Sequence, residues 1–308
     1  MATKIGIAGI TGKLGRLLAR SLLRHHDTLV RGYCRNPSKA PLWLTANPAA
    51  TMHQGDALDV VAIRSFVRGL DVVVCAYLGD PELMIDGQKA LIDACEAESV
   101  PRYVASDWTL DYTKLKLGEL FPKDPMIHVK TYLDQKTNVK GVHILVGSFM
   151  DPQFSPLFGQ WDPSTQTLRH WGTGDEIWEG TSYENAADFT AAVCRDKEAS
   201  GVLRLLGDRK SFNQIAESFA RVYGIQPKVE SLGTLQELHD KMHAIRAPAP
   251  HELFQYMFLF FAYYWLNGQT FVGPDLDNAR FPDVKPVTWE DFFRTHSLEQ
   301  LTEAYTNL

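Results

Sequence analysis

Three glycines at three-residue spacing, Gly9, Gly12 and Gly15, follow the apolar run Ile5-Gly-Ile-Ala8 and lead into the stripe Leu14, Leu17, Leu18, Ser21, Leu22. A strand that turns through such glycines into a helix brings backbone N–H groups against a pyrophosphate, and the helix N-terminus adds positive partial charge. Thr11, Lys13 and Leu14 lie in the same turn and join the glycines as candidate dinucleotide ligands. Beyond the second apolar run the chain reads Cys34-Arg35-Asn-Pro-Ser-Lys39, where an NAD-specific turn carries Asp or Glu for the ribose 2′-hydroxyl. A guanidinium grips a 2′-phosphate with paired hydrogen bonds and stacks on adenine, and Lys39 adds a second cation. The basic pair predicts NADP(H). Asp56, after the third run, is a candidate for the adenine edge, with Ala57 beside it.

These residues need a scaffold that gathers them at one edge. Apolar runs recur at 4–8, 29–34, 51–54, 72–76, 103–106 and 143–147, with helical stretches expected at 14–24, 60–67, 84–98 and 126–139. Strands alternating with helices predict an α/β fold, a parallel sheet with helices on both faces and right-handed crossovers. Ligands of such sheets sit beyond the carboxyl ends of the strands, where strand order reverses. That rule adds Tyr77, Leu78, Ser106, Asp107, Ser148 and Phe149 to the cofactor candidates. After about residue 150 the rhythm breaks. A short hairpin is expected from Leu168–Trp171, Gly172-Thr-Gly174 and Ile177–Glu179, then a helix from Glu184 and a strand over Val202–Leu206. The Ala-Pro-Ala-Pro run at 247–250 marks a loop before the aromatic stretch Leu253–Leu266.

Composition excludes several classes. The 308 residues carry a net charge of −6 with no basic block, which gives no electrostatic reason to expect nucleic acid. The stretch Leu253–Leu266 is too short to cross ~30 Å of hydrocarbon, so no membrane association is expected. Cys34, Cys75, Cys95 and Cys194 are isolated, suggesting neither a metal cluster nor a disulfide framework, and no signal-peptide pattern opens the chain. A cytoplasmic protein with reduced thiols is expected, as a monomer or homodimer with a small-molecule partner.

Several segments in order resemble the NmrA-like and isoflavone-reductase-like group of atypical short-chain dehydrogenases: Gly9-x-Thr-Gly12-x-x-Gly15, Arg35-Asn-Pro, Gln54-Gly-Asp56, Ser106-Asp-Trp108, Glu184–Asp188, Lys210–Glu217 and Phe281–Asp291. The resemblance implies a Rossmann-like doubly wound parallel sheet over residues 1–152, using NADP(H). It also implies a smaller C-terminal substrate-binding region over 153–308, packed closely on the first and partly interleaved with it. Trp108, Met150, Trp178 and, on the aromatic helix, Phe254 and Phe258 are the candidate pocket walls.

The ordinary members of the larger family place Tyr and Lys four apart on a helix, the lysine lowering the tyrosine pKa for proton exchange. Two such pairs occur, Tyr112/Lys116 in the loop after the fifth strand and Tyr132/Lys136 near the far end of the following helix. Lys130, twelve residues before Val142, matches the placement of the functional lysine in the isoflavone-reductase-like enzymes and is the expected catalytic and cofactor-contacting residue. Four residues earlier Met126 replaces the tyrosine, and His128 is assigned to the surface. The expected function is NADPH-dependent reduction of an apolar, aromatic or polycyclic metabolite. The alternatives are a redox-sensing regulator without turnover and an NADP(H)-containing isomerase.

Overall fold

The run Val72-Val-Val-Cys75 offers water no polar face, so it requires cover on both sides. In the computed structural model, which describes residues 2–307, all four side chains are buried in the middle of a parallel sheet. The first strands are β1 (Thr3–Ala8), β2 (Thr28–Cys34), β3 (Ala50–Gln54), β4 (Val72–Cys75), β5 (Arg102–Val104) and β6 (Lys140–Leu145). The helices between them are α1 (Lys13–Leu22), α2 (Leu42–Thr45), α3 (Val60–Val67), α4 (Gln88–Ala97) and α5 (Asp124–Leu133). Val72 and Val74 face a layer that contains Leu18 and Leu22 of α1, whereas Val73 and Cys75 face Phe66 of α3, Leu91 of α4 and Val129 of α5. The period-two alternation of one strand thus serves two helical layers.

Beyond β6 come β7 (Ser148–Phe149), β8 (Trp161–Asp162), β9 (Thr167–His170), β10 (Ile177–Thr181), α6 (Tyr183–Arg195), β11 (Gly201–Arg204) and β12 (Asp208–Ser211). They are followed by α7 (Phe212–Tyr223), β13 (Lys228–Ser231), α8 (Leu235–Arg246), α9 (Leu253–Leu266), α10 (Trp289–Arg294) and α11 (Leu298–Leu301). The main sheet runs β11-β6-β5-β4-β1-β2-β3, every pair parallel. Its order reverses between β1 and β4, the arrangement of a Rossmann-like doubly wound fold. α6 packs beside α1, and β11 extends the sheet next to β6.

Two expectations are corrected. β9 and β10 do not form a hairpin: β9 pairs with β8 and β13, while β10 pairs with β12 and β7. Their connection is folded on itself, with Gly172 and Gly174 at φ of 81° and 88° and Glu176 accepting from the N–H groups of Thr173 and Gly174. The strands therefore leave it into separate sheets. α5 is also shorter than its apolar pattern and shifted toward its start. It opens at Asp124 with Pro125 in the first turn, a position where a missing N–H costs nothing. It ends at Leu133 because Thr137 and Asn138 turn to donate to Glu96 on the neighbouring α4.

Among the described residues no helix is long and apolar enough to cross a membrane, and all four cysteines are buried free thiols. The Ala-Pro-Ala-Pro run joins α8 to α9. α9 buries Tyr256, Phe260 and Tyr264 against Leu120, Met126 and Met242.

Candidate active site

A cleft of about 750 Å³ opens at the carboxyl ends of the central strands. The glycine turn forms one end of it, and its glycines have different duties. Gly9 has φ +81°, and a Cβ there would meet the Ala76 carbonyl oxygen at 2.6 Å. Gly15 is off the cleft wall; a Cβ there would meet the Gly9 carbonyl oxygen at 2.5 Å, so its bareness lets α1 close onto β1. Gly12 lines the cleft, in a backbone conformation of φ −73° and ψ 168° that any residue adopts. The first-turn N–H groups of Lys13 and Leu14 have no acceptor within their own helix. Bare glycine on the wall beside unsatisfied donors fits a pyrophosphate.

Thr11, Lys13, Leu14, Arg35, Asp56, Ala57, Tyr77 and Leu78 join this wall, with Ser106, Asp107, Trp108, Ser148 and Phe149 farther along it. Arg35 is exposed at the rim, and its guanidinium has no ion-pair or hydrogen-bond partner among the described residues. Lys39 is exposed and off the wall. Asp56 receives the Leu58 N–H at 3.2 Å and lends its carbonyl to the Tyr33 hydroxyl at 2.7 Å. The Ser106 hydroxyl donates to the Tyr77 carbonyl at 2.7 Å, which ties the ends of β4 and β5 together. Phe149 stacks on Tyr183 at 3.8 Å between centroids. Lys13 donates to the Tyr305 carbonyl and lies 4.5 Å from that ring, so a turn beyond α11 reaches back to the glycine turn.

The other end of the cleft is aromatic, with Trp108, Phe158, Phe261 and Trp265 joined by Met126 and Pro152. Trp108 is held at φ +35°, a conformation costly for a bulky residue, with its indole N–H donating to Thr190 Oγ1 at 2.9 Å. The preceding Asp107 carboxylate accepts from the Tyr112 hydroxyl at 3.0 Å and lies 2.7 Å from His143 Nδ1, all three side chains being buried.

One cation stands in this apolar part. Lys123 ends a short 3₁₀ turn, Phe121–Lys123, immediately before α5. Its ammonium has no hydrogen-bond or ion-pair partner among the described residues and lies 5.0 Å from the Phe261 ring. Burial disfavours its charged form and pushes its pKa down to about 8, opposed by the Asp107 carboxylate.

Several anticipated residues stand elsewhere. Lys130 is off the cleft wall: it lies one turn farther along α5 than Met126, about 6 Å of rise, and its ammonium is held by Asp134 at 2.6 Å. The Tyr132/Lys136 pair is also off the wall, both side chains bonding Asp93 at 2.6 Å. In the other pair Lys116 is exposed, and burial beside Asp107 drives the Tyr112 pKa upward, the reverse of what proton exchange needs. His128 is exposed, as expected. Met150 is buried in the core because it alternates with Phe149 along extended backbone and points the other way. Phe254, in the first turn of α9, is 80% exposed, while Trp178 and Phe258 line a separate small cavity.

The reading of the sequence missed Lys123, Phe158, Tyr183 and Tyr305. For Lys123 a signal was present. Helices of a βαβ unit start at the carboxyl ends of the strands, and Pro125 marks the start of α5 directly after Lys123.

Residues 9–143 match the NAD(P)H-binding family, so this segment is an NAD(P)H-binding domain. No curated protein shows a significant sequence match. Among solved structures the chain is similar to leucoanthocyanidin reductase from Vitis vinifera in its binary complex with NADPH, at 17% identity and TM-score 0.76 over 95% of this chain and 98% of that one. It is similar to isoflavone reductase at 16% identity and TM-score 0.74, over 96% of this chain and 99% of that one. An NADPH-dependent quinone oxidoreductase from Escherichia coli gives 18% identity and TM-score 0.71, over 94% of this chain and 98% of that one. At such identities the likeness establishes the fold.

Proposed function

We propose that the protein is an NADPH-dependent reductase of a small apolar, aromatic or polycyclic compound, and that Lys123 carries the proton chemistry. The observation that carries this reading is a single unpartnered ammonium in an aromatic-walled cleft continuous with the glycine turn. The names of the structural neighbours support it: leucoanthocyanidin reductase in complex with NADPH, isoflavone reductase and an NADPH-dependent quinone oxidoreductase.

NADPH, when bound, supplies hydride. The residues of the chain do the rest. The glycine turn and the first turn of α1 hold the pyrophosphate, and Arg35 takes the 2′-phosphate. Phe149 and Tyr183 offer a stacked aromatic wall next to Ser148, and Trp108, Phe158, Phe261 and Trp265 exclude water and bind the substrate ring. Lys123 faces the oxygen of a carbonyl, or the corresponding atom of an imine or activated alkene, and neutralises the negative charge that grows there. In this dry setting the ammonium interacts more strongly than it would in water. A pKa near neutrality suits it to give up a proton and recover it from solvent.

Cofactor choice tests the dinucleotide end. Calorimetric titration is expected to show NADPH binding about tenfold or more tighter than NADH, ~1.4 kcal/mol. Arg35→Ala should erase most of that gap, because among the described residues no other arginine lines the cleft. Equal affinities in the parent protein would overturn the assignment. Reduction of a panel of aromatic aldehydes, ketones and quinones with NADPH tests the substrate end, and absence of turnover across the panel would favour a cofactor-reading regulator.

A further inference from the structure

Behind the aromatic end of the cleft lies a second, smaller cavity of about 60 Å³. Trp171, Trp178, Phe258, Leu259 and Ala262 form much of its wall. Among the described residues, Phe158 is the one that lines both this cavity and the main cleft. Its ring sits edge-on to Phe258 at 5.1 Å and 5.3 Å from Trp265, so it stands as a partition between them.

The partition stands outside regular secondary structure. Phe158 belongs to a turn segment outside any helix or strand, between the exposed Leu157 and the half-buried Gly159. Gly159 has φ +64° with open space where a Cβ would stand. Its ring contacts, and a backbone hydrogen bond from Phe158 N–H to the Ser155 carbonyl at 3.3 Å, hold it in place.

The space behind it holds one orphaned donor: the indole N–H of Trp178 is buried without an acceptor among the described residues, although Gln160, Arg169 and His170 also line the cavity. Trp265, whose indole N–H is likewise orphaned, lines the cleft, with its ring 5.6 Å from that of Trp178. Trp161 and Trp289 also have orphaned indoles, but they line neither cavity. A buried donor without a partner is costly, and a ligand that brings an acceptor relieves that cost. As it stands, the cavity is too small for an aromatic ring. Swinging the Phe158 phenyl aside joins it to the cleft and opens room for one.

Building on the reductase reading of the cleft, we propose that the small cavity is a second aromatic subsite, gated by Phe158, which admits the distal ring of an elongated two-ring substrate bearing a hydrogen-bond acceptor. The gate sets substrate length: one-ring compounds bind with Phe158 in place, and two-ring compounds must displace it.

Two probes separate these cases, benzaldehyde and the longer 4-(4-methoxyphenyl)benzaldehyde, with binding measured by calorimetry on the NADP+-loaded protein and by crystal soaks. Phe158→Ala is expected to raise the affinity for the two-ring probe about tenfold relative to benzaldehyde, whose own binding falls with the loss of the Phe158 wall. Adding Ala262→Leu, which fills the cavity from α9, should abolish the gain and leave benzaldehyde binding as in the single variant. In soaks the distal ring should lie between Trp178 and Phe258. Equal effects on both probes, no gain for the longer one, or a gain that survives Ala262→Leu would overturn the subsite. Binding is read without turnover, so the two readings fail separately. Loss of aldehyde reduction with this binding pattern intact would remove the reductase and leave the subsite standing.

Discussion

Lys123→Met is expected to leave NADPH affinity within about threefold and to lower turnover of an aromatic carbonyl by ~10²-fold or more, the scale for losing a positioned proton-transfer group. Methionine keeps the length and apolar stem of the side chain while removing the ammonium. The residues proposed to hold the dinucleotide, the glycine turn and Arg35, do not include Lys123, so binding has no reason to fall. The fold has no reason to suffer, because the ammonium has no acceptor to abandon and already bears a desolvation penalty. Lys130→Met and Lys136→Met are the matched controls. Each removes a surface ion pair, to Asp134 or Asp93, and turnover should stay within about twofold, since such pairs contribute little.

The same group fixes a pH dependence. Lys123 must be protonated to give a proton, so kcat should be high below its pKa and fall as pH rises through about 8. On the cleft wall Asp107 is the acid that acts on this ammonium, α9 presents only Phe261 and Trp265, and Asp80 and Glu82 line the wall beyond β4. Removing the Asp107 charge weakens the protonated form, and Asp107→Asn should move the falling limb to lower pH by roughly half to one unit. A limb that stays in place in Asp107→Asn and persists in Lys123→Met would assign the titration to another group.

The glycine turn gives the second large effect, and its positions should separate cleanly. Valine at Gly12 fits the existing φ and ψ, and its Cβ would meet nothing closer than the Gly9 carbonyl oxygen at 3.2 Å. Gly12→Val should therefore remain folded by circular dichroism and thermal melting while losing NADPH affinity by ~10²-fold or more, because the side chain fills the wall against which the pyrophosphate must lie. At Gly15 a Cβ would stand 2.5 Å from the Gly9 carbonyl oxygen and 2.8 Å from Ile10 Cα, both backbone atoms that cannot swing away. Gly15→Val should destabilise the protein by about 1–3 kcal/mol or more, the cost of overpacking. A Gly12→Val protein that binds NADPH like the parent would mean that the turn only joins β1 to α1.

The cleft wall proposed to hold the dinucleotide was legible in the sequence because its candidate residues are nearly contiguous. Gly9–Gly15 and Arg35 lie just beyond two strands whose apolar alternation is plain, and the sheet order carries both to one cleft. The same logic located Tyr77, Ser106, Asp107 and Phe149. The substrate end was less legible because its walls converge from distant segments: Trp108 after β5, Lys123 before α5, Phe158 in an irregular turn, Phe261 and Trp265 on α9. Composition identified α9 as an aromatic stretch but not which side of it turns inward, so Phe254 and Phe258 were chosen where Phe261 and Trp265 reach the cleft. Lys130 was chosen by counting back from β6, a measure blind to an ion pair with Asp134 and to the earlier start that Pro125 gives α5. The expected hairpin failed for a similar reason. Turn glycines announce a reversal of the chain, but whether the flanking strands then pair depends on β12 and β13, which compete for them from farther along the sequence.

In the proposed reaction hydride passes from a bound NADPH to an aromatic substrate beside Lys123. The most direct measurement is a single turnover with NADPH deuterated at both C4 positions of its nicotinamide and a stoichiometric aromatic aldehyde or quinone, with the product analysed by mass spectrometry. Expected is one deuterium on the carbinol carbon of the alcohol formed from an aldehyde, or, with a quinone, hydroquinone formed together with loss of one deuterium from the cofactor, in each case with the parent protein and Lys130→Met and nearly absent with Lys123→Met over the same interval. NADPH that binds tightly yet keeps both deuteriums, with the substrate returned unchanged across the panel, would contradict it.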